Sequence, residues 1–298
     1  TQFLTGEQQG ERAPNDAIAA NTNVEFLNHV LNCRSAAQCR RTPDVQPSMT
    51  SAQGTTLHAS VDHSPTHFQA RIAALWVFPI KSCAGISVPQ AVLTPTGLAH
   101  DRAWMVVDAE GEMVTQRELP HMALIQPALV YEGDALVELV LHASSMAALH
   151  LPIKRPMSHP GGADAQARVQ VHVWDDRVPA FDMGAEASAW LTTFLGDSLG
   201  VLRLVRFDDT HQRPSSAKWT QGLPSSNQFS DGFPVLVSSL ASLDELNTRL
   251  LAQGEVAVDI RRFRVNLVLG NAEGHADSVL PHDEDRIGPI TIHTPADA

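Results

Sequence analysis

Apolar residues fall along this chain in short runs separated by turn signals, and the runs begin near Arg71. Ile72–Ile80 is apolar, and Gln90–Thr94 follows. Trp104-Met105-Val106-Val107 leads through Asp108-Ala109-Glu110-Gly111, a hairpin-type turn, into Glu112-Met113-Val114-Thr115. Further strand-like runs cover Met122–Val130, Leu136–His142 and Leu149–Ile153. Short strands divided by turns in this way predict an all-β module, a small barrel or a strongly curled sheet.

A Pro/Gly-containing link, Pro156–Gly162, precedes a second, mixed module. Within Ala167–Trp174, Val169, Val171 and Val173 alternate with Gln170 and His172, the period of a strand with one buried face. Asp175-Asp176 reads as a pair of solvated turn formers before Val178–Phe181. Gly184–Leu195 has Ala185, Ala189, Trp190 and Phe194 near helical spacing. Leu202–Phe207 predicts a strand. The polar loop Asp208–Ser230 after it is longer than a compact domain keeps without a functional reason or disorder. Strands are expected at Pro234–Val237, Phe263–Leu269 and Ile287–His293. Between them, Ser239 or Ser242 can cap a helix running to about Leu251, and Ser242-Leu243-Asp244-Glu245 fits a capping box. The fold class read from this pattern is α+β and β-rich, with 1–69 a tail, 70–165 one domain and 166–298 another.

Residues 1–69 are rich in Gln, Asn, Ser, Thr, Ala and His, with one stretch, Asn23–Leu31, patterned for an isolated helix. His58, His63 and His67 have no carboxylate or thiolate partner nearby and read as solvated tail histidines. Cys33 and Cys39 lie in the same polar stretch. With Cys83 they make three cysteines, too few for a disulfide scaffold, so a reducing, cytoplasmic compartment is expected. The formal net charge of −12 argues against a broad electrostatic grip on nucleic acid, while leaving room for one basic cleft. No run is long and apolar enough for a membrane span, and Thr1-Gln2-Phe3-Leu4 lacks the pattern of a secretory signal. The absence of an initiator Met reads as processing or a fragment.

The common catalytic signatures GxSxG, HExxH, the P-loop and GxGxxG are missing. What remains are polar residues just after β-runs, where loops can converge on a pocket. In Pro79-Ile80-Lys81-Ser82-Cys83-Ala84-Gly85, a Lys and a Ser in a small-residue turn suit a phosphate. Arg102, in His100-Asp101-Arg102, can hold a phosphate bidentately or pair locally with Asp101. Thr115-Gln116-Arg117 ends a strand with polar groups, and Phe229-Ser230-Asp231-Gly232-Phe233-Pro234 marks where the long loop re-enters the fold. On an alternating strand Arg264 and Asn266 would share a side, a donor-rich face for an anionic heterocycle or an exposed face paired with Asp259 or Glu255.

Taken in order, Ile80-Lys81-Ser82-Cys83, Asp101-Arg102-x-Trp104, Thr115-Gln116-Arg117, Phe229-Ser230-Asp231 with Pro234, and Arg262-Phe263-Arg264-x-Asn266 resemble the MOSC superfamily. Its members include the relatives of the mitochondrial amidoxime-reducing component and their bacterial counterparts. The resemblance covers about Arg71 to the C-terminus. It implies an N-terminal β-barrel-like domain packed on a mixed MOSC β-barrel domain with peripheral helices, and a molybdenum cofactor (molybdopterin) between them. It further implies that Lys81, Ser82 and Arg102 hold the cofactor's phosphate, that Ser230 and Asp231 line the pterin, and that Arg264 and Asn266 bind it from a strand. Val265 stands where relatives often have Pro, a swap a strand edge tolerates.

In relatives the strand matching Ile287–Ile292 continues to a cysteine whose thiolate binds molybdenum. Here His293–Ala298 follows and no cysteine occurs after Cys83, so the expectation is a truncated C-terminus and no metal ligand in this sequence. Cys83 is expected to be a packed side chain rather than a substitute ligand. The implied activity is reduction of N-hydroxylated compounds (amidoximes, hydroxylamines and N-hydroxylated bases). Electrons would come from a separate iron–sulfur or haem protein. The competing expectation is a redox-inactive cofactor-binding or carrier protein. His100, His121 and Asp231 stand equal as proton donors, and Arg102→Ala is expected to remove the cofactor with little change in folding.

Overall fold

The structure, a computed structural model, describes residues 2–5, 24–26, 70–153, 167–220, 224–271, 279–286 and 290–292. Cys33, Cys39, His58, His63 and His67 lie outside the described residues. The fold is α+β and β-rich, as the pattern predicts.

Three sheets position the site. The first runs Arg168–Val173, Asp176–Asp182, Arg203–Phe207, Trp104–Val107, all antiparallel. Trp104–Val107 is buried throughout because this sheet is covered on both faces. Trp104 and Val106 pack with Leu204 and with Ala187, Trp190, Leu191 and Leu195 of the helix Ala185–Leu195. Met105 and Val107 point the other way, into a cluster with Val171, Val173, Phe207 and Phe229. Each large side chain sealed there stabilises the fold by about 1.5–3 kcal/mol relative to exposure. The second sheet is the antiparallel set Gln126–Glu132, Ala135–His142 and Leu149–Pro152.

The third sheet centres on Ala70–Val77. Leu267–Asn271 pairs with it antiparallel, and Val237–Ser239 joins parallel on the outer side. Ile86–Val88 pairs with the end of Ala70–Val77. Two segments of the N-terminal stretch are also strands: Gln2–Thr5 pairs with Gln90–Thr94, and Val24–Phe26 pairs with both Ala70–Val77 and Ile290–Ile292. Val24–Phe26 is therefore extended where the residue pattern predicts helix. Strands from either side of the expected boundary at 165–166 share sheets, Trp104–Val107 with Arg203–Phe207 and Ala70–Val77 with Leu267–Asn271.

Local chemistry overrides the apolar pattern in several places. Glu112–Thr115 forms only isolated bridges, because Asp108 Oδ1 caps the turn through the N–H groups of Glu110 and Glu112 at 3.0 and 2.9 Å. Met122–Val130 divides into a 3₁₀ turn at Pro120–Leu124 and the strand Gln126–Glu132. The strand expected at Pro234–Val237 sits at Val237–Ser239. Ser239 rather than Ser242 caps the helix Leu240–Ala252, and Glu245 pairs with Arg249 and His282 instead of closing a capping box. The loop Asp208–Ser230 contains a short strand pair, Arg213–Pro214 with Ser226–Asn227, and the turn of helix Ala217–Thr220.

The largest correction concerns Phe263–Leu269. Asp259 accepts from Arg261 N and caps a 3₁₀ turn, Ile260–Phe263, after which Arg264 takes the left-handed conformation at φ 56° and the strand begins only at Leu267. Arg264 and Asn266 therefore do not share a face of one strand. Among the described residues no helix is long and apolar enough to cross a membrane.

Candidate functional site

Three backbone segments are stitched together to form the floor. Lys81 N–H donates to Trp104 O at 2.9 Å, Arg102 N–H to Phe78 O at 2.8 Å and Phe229 N–H to Arg102 O at 3.0 Å. Ser82 and Arg102 adopt left-handed backbone, φ 70° and 48°, which turns the chain sharply after Ile80 and again just before the strand Trp104–Val107. Gly97 has φ +108°, and a Cβ there would lie 2.3 Å from Pro234 O, so only glycine allows the chain beyond the site loop to approach so closely.

Lys81, Ser82, Arg102, Ser230, Asp231, Arg264 and Asn266 all line one pocket of about 350 Å³. Thr115, Gln116 and Arg117 reach the same pocket. His100 and His121 lie outside its lining, which leaves Asp231 as the one of the three considered proton donors that reaches it. Among the described residues no group of three or more His, Cys, Asp or Glu is placed to hold a metal ion.

The charges are tightly organised. Lys81 Nζ donates to Phe229 O at 3.0 Å and forms an ion pair with Asp231. Burial pushes the Lys81 ammonium below its ordinary value, partly offset by Asp231. Burial pushes the Asp231 carboxyl up, but the Lys81 charge and hydrogen bond and the Trp174 N–H outweigh it and hold it below the ordinary range. Arg102 pairs with the buried Asp101 and donates to Asn266 Oδ1 at 3.0 Å and Arg264 O at 2.9 Å. Asp101 also accepts from Phe78 N–H at 2.8 Å and Asn266 Nδ2 at 2.9 Å, while burial pushes its carboxyl up.

Asn266 is fully occupied within the protein. Its Nδ2 also donates to Trp76 O at 3.1 Å, and its Oδ1 accepts from Leu236 N–H at 3.1 Å as well as from Arg102. It shapes the wall and knits three segments together. Arg264 is the opposite case: its Nη2 is buried with no acceptor among the described residues. The Arg264 and Arg102 guanidinium groups both lie over the Phe78 ring, 4.6 Å from its centroid. Burial, with the Arg102 charge nearby, pulls Arg264 down to about 10. Cys83 beneath them is fully buried, and burial pushes its thiol up to about 12, the state of a packed, unreactive side chain.

With this geometry in view, comparison with known proteins is decisive. The model described as the MOSC N-terminal beta barrel domain matches residues 69–198. The mitochondrial amidoxime-reducing component 1 of Mus musculus is 36% identical over 213 residues, 69% of this chain and 57% of its own length. Its Homo sapiens namesake is 35% identical over 228 residues, 74% of this chain and 61% of its own length. The chain is a MOSC-domain protein resembling these components. A molybdenum cofactor sulfurase of Danio rerio is 28% identical over 287 residues, 86% of this chain and 33% of its own length. The chain thus spans less than two thirds of the length of these curated relatives. The match also crosses the boundary expected at 165–166, and the pocket joins residues inside it with Ser230, Asp231, Arg264 and Asn266 beyond it.

Two residues of this candidate site were not legible in the sequence. Trp174, at φ 54°, donates its indole N–H to Asp231 Oδ1 at 3.1 Å, and Lys81 and Arg117 lie over its ring at 5.8 and 5.6 Å. Its position just before the Asp175-Asp176 turn was the available signal. Arg213 is buried and donates to the carbonyls of Gln228, Ser230 and Asp231. An Arg within a polar loop carries no signal of this kind.

Proposed function

We propose that this pocket binds a molybdopterin-type cofactor and that the protein reduces N-hydroxylated compounds with electrons from a separate iron–sulfur or haem protein. The observation that carries the reading is the buried Arg264 Nη2, without an acceptor among the described residues, beside Arg102 and Lys81, a concentration of donors that calls for an anion. The likeness to a molybdenum cofactor sulfurase supports molybdenum-cofactor association.

The residues present fit such a group. Lys81 has a donor left beyond Phe229 and Asp231, and Ser82 and Arg102 stand beside it for a phosphate. Asp231, held ionised, accepts from ring N–H groups rather than donating a proton at neutral pH. Trp174, Phe233 and Phe263 supply apolar surface against a flat heterocycle and exclude water. Asn266 holds the wall through its saturated amide. When bound, the group supplies two-electron redox chemistry at molybdenum.

The test is the pterin and molybdenum content of the 298-residue chain purified from a host that makes the cofactor. Pterin retained by the wild type and lost in Lys81→Ala supports the binding reading. Pterin without metal favours a carrier role, and absence of both overturns the assignment.

A further inference from the structure

Beside the candidate site lies a larger cavity of about 890 Å³, and the two share Gln116, Arg117 and Arg264 in their walls. The second cavity is lined by four arginines, Arg117, Arg261, Arg262 and Arg264, against one carboxylate, Asp259. That carboxylate is already committed, since Arg261 Nε and Nη2 donate to its two oxygens at 2.8 and 3.0 Å. Four positive charges less one negative leave three uncompensated, in a chain whose formal net charge is −12. Such local concentration against the overall sign marks a recognition surface rather than bulk composition.

Two buried donors belonging to residues of this lining have no acceptor among the described residues: Trp76 Nε1 and Arg264 Nη2. Arg264 borders both cavities and serves either, but Trp76, Arg261 and Arg262 line only the second. Flat and apolar surface completes the lining through Trp76, Phe78, Pro120 and Pro127. The volume falls within the range of about 300–1,000 Å³ typical of small-molecule sites.

We propose that this second cavity binds a small ligand carrying a phosphate monoester on a flat heterocycle, a mononucleotide-like molecule. A carboxylate would neutralise one of the three free guanidinium charges. A phosphate monoester carries close to two negative charges near neutral pH and offers three oxygens to forked donors. Arg117, Arg262 and Arg264, whose charges no carboxylate of this lining offsets, take the phosphate, and Trp76 borders the ring. This goes beyond the cofactor reading and does not depend on it.

Titration calorimetry of the purified chain with adenosine 5′-monophosphate, adenosine and inorganic phosphate tests the proposal. The monophosphate binds saturably, and adenosine or phosphate alone binds at least about tenfold more weakly, because each offers one half of the recognition. Arg262→Ala weakens monophosphate binding by about tenfold through loss of a donor, and Arg261→Ala by about tenfold because it leaves the Asp259 carboxylate uncompensated in the cavity. Both side chains are exposed, so the variants keep the wild-type melting profile. No saturable binding of the monophosphate overturns the proposal. Binding lost in Lys81→Ala but unmoved in Arg262→Ala overturns it too, since the ligand would then occupy the first pocket. Pterin content of the same preparations reports separately on the cofactor reading.

Discussion

Arg213 Nε donates to Asp176 Oδ2 at 2.7 Å, and the rest of the guanidinium fastens the loop that carries Ser230 and Asp231. The Arg213 side chain is 5% exposed and that of Asp176 52%, so the two ends of this ion pair are unequal. Arg213→Ala frees three carbonyls and should destabilise the protein by about 3 kcal/mol. Asp176→Ala removes only a half-solvated partner and should cost about 1 kcal/mol or less. Urea unfolding of both variants measures the difference, and equal costs would mean that the carbonyl contacts do not hold the loop.

The expectation that Arg102→Ala would leave folding nearly unchanged gives way to a different one. Arg102 is the cation of Asp101, which is buried and pinned by Phe78 N–H and Asn266. Without it a carboxylate is stranded in the interior, and thermal or urea unfolding should register a loss of about 3 kcal/mol. Arg102→Lys keeps the charge but loses the fork, so it should cost less stability than Arg102→Ala.

Asn266 should behave as a structural residue first. Asn266→Ala leaves Trp76 O, Leu236 N–H and Asp101 each short of a partner, at a cost of about 2–3 kcal/mol. Hydrogen exchange should quicken at Leu236 and along Leu267–Asn271. Unchanged protection there would show that the amide is not the link between these segments.

Arg264 should behave in the opposite way. Its buried charge beside Arg102, with Nη2 lacking an acceptor among the described residues, is costly in the free protein, so Arg264→Met should stabilise the ligand-free chain by about 1 kcal/mol while weakening anion binding. A lower urea midpoint for this variant would contradict the assignment.

The Asp231 carboxyl is held below its ordinary range by Lys81, against the pull of burial. As pH falls, the unfolded chain takes up that proton first, so the contribution is present above the ordinary carboxylate value and fades as pH drops through the folded one. Asp231 is largely exposed, which limits the effect to below about 1 kcal/mol. The stability gap between wild type and Asp231→Asn should be widest near neutrality and narrow as pH falls below the ordinary carboxylate range. A gap independent of pH would remove the ion pair from the account.

The sequence by itself determined the β-rich class, most strand positions and the residues that meet in the pocket. Those follow from local pattern: Val169, Val171 and Val173 alternate because one face of their strand is buried, and Val171 and Val173 are indeed sealed. Polar residues after strand runs met in one place because strand ends project loops to common edges. Tertiary structure alone decided what each residue does there. Arg264 is left-handed because Asp259 caps a turn that competes with the strand. Arg213 and Trp174 became site residues through partners at Asp176 and Asp231, 37 and 57 positions away. Burial, charge compensation and orphaned donors are properties of such distant pairings. A one-dimensional pattern records which residues face inward, but not which polar groups find each other once they are there.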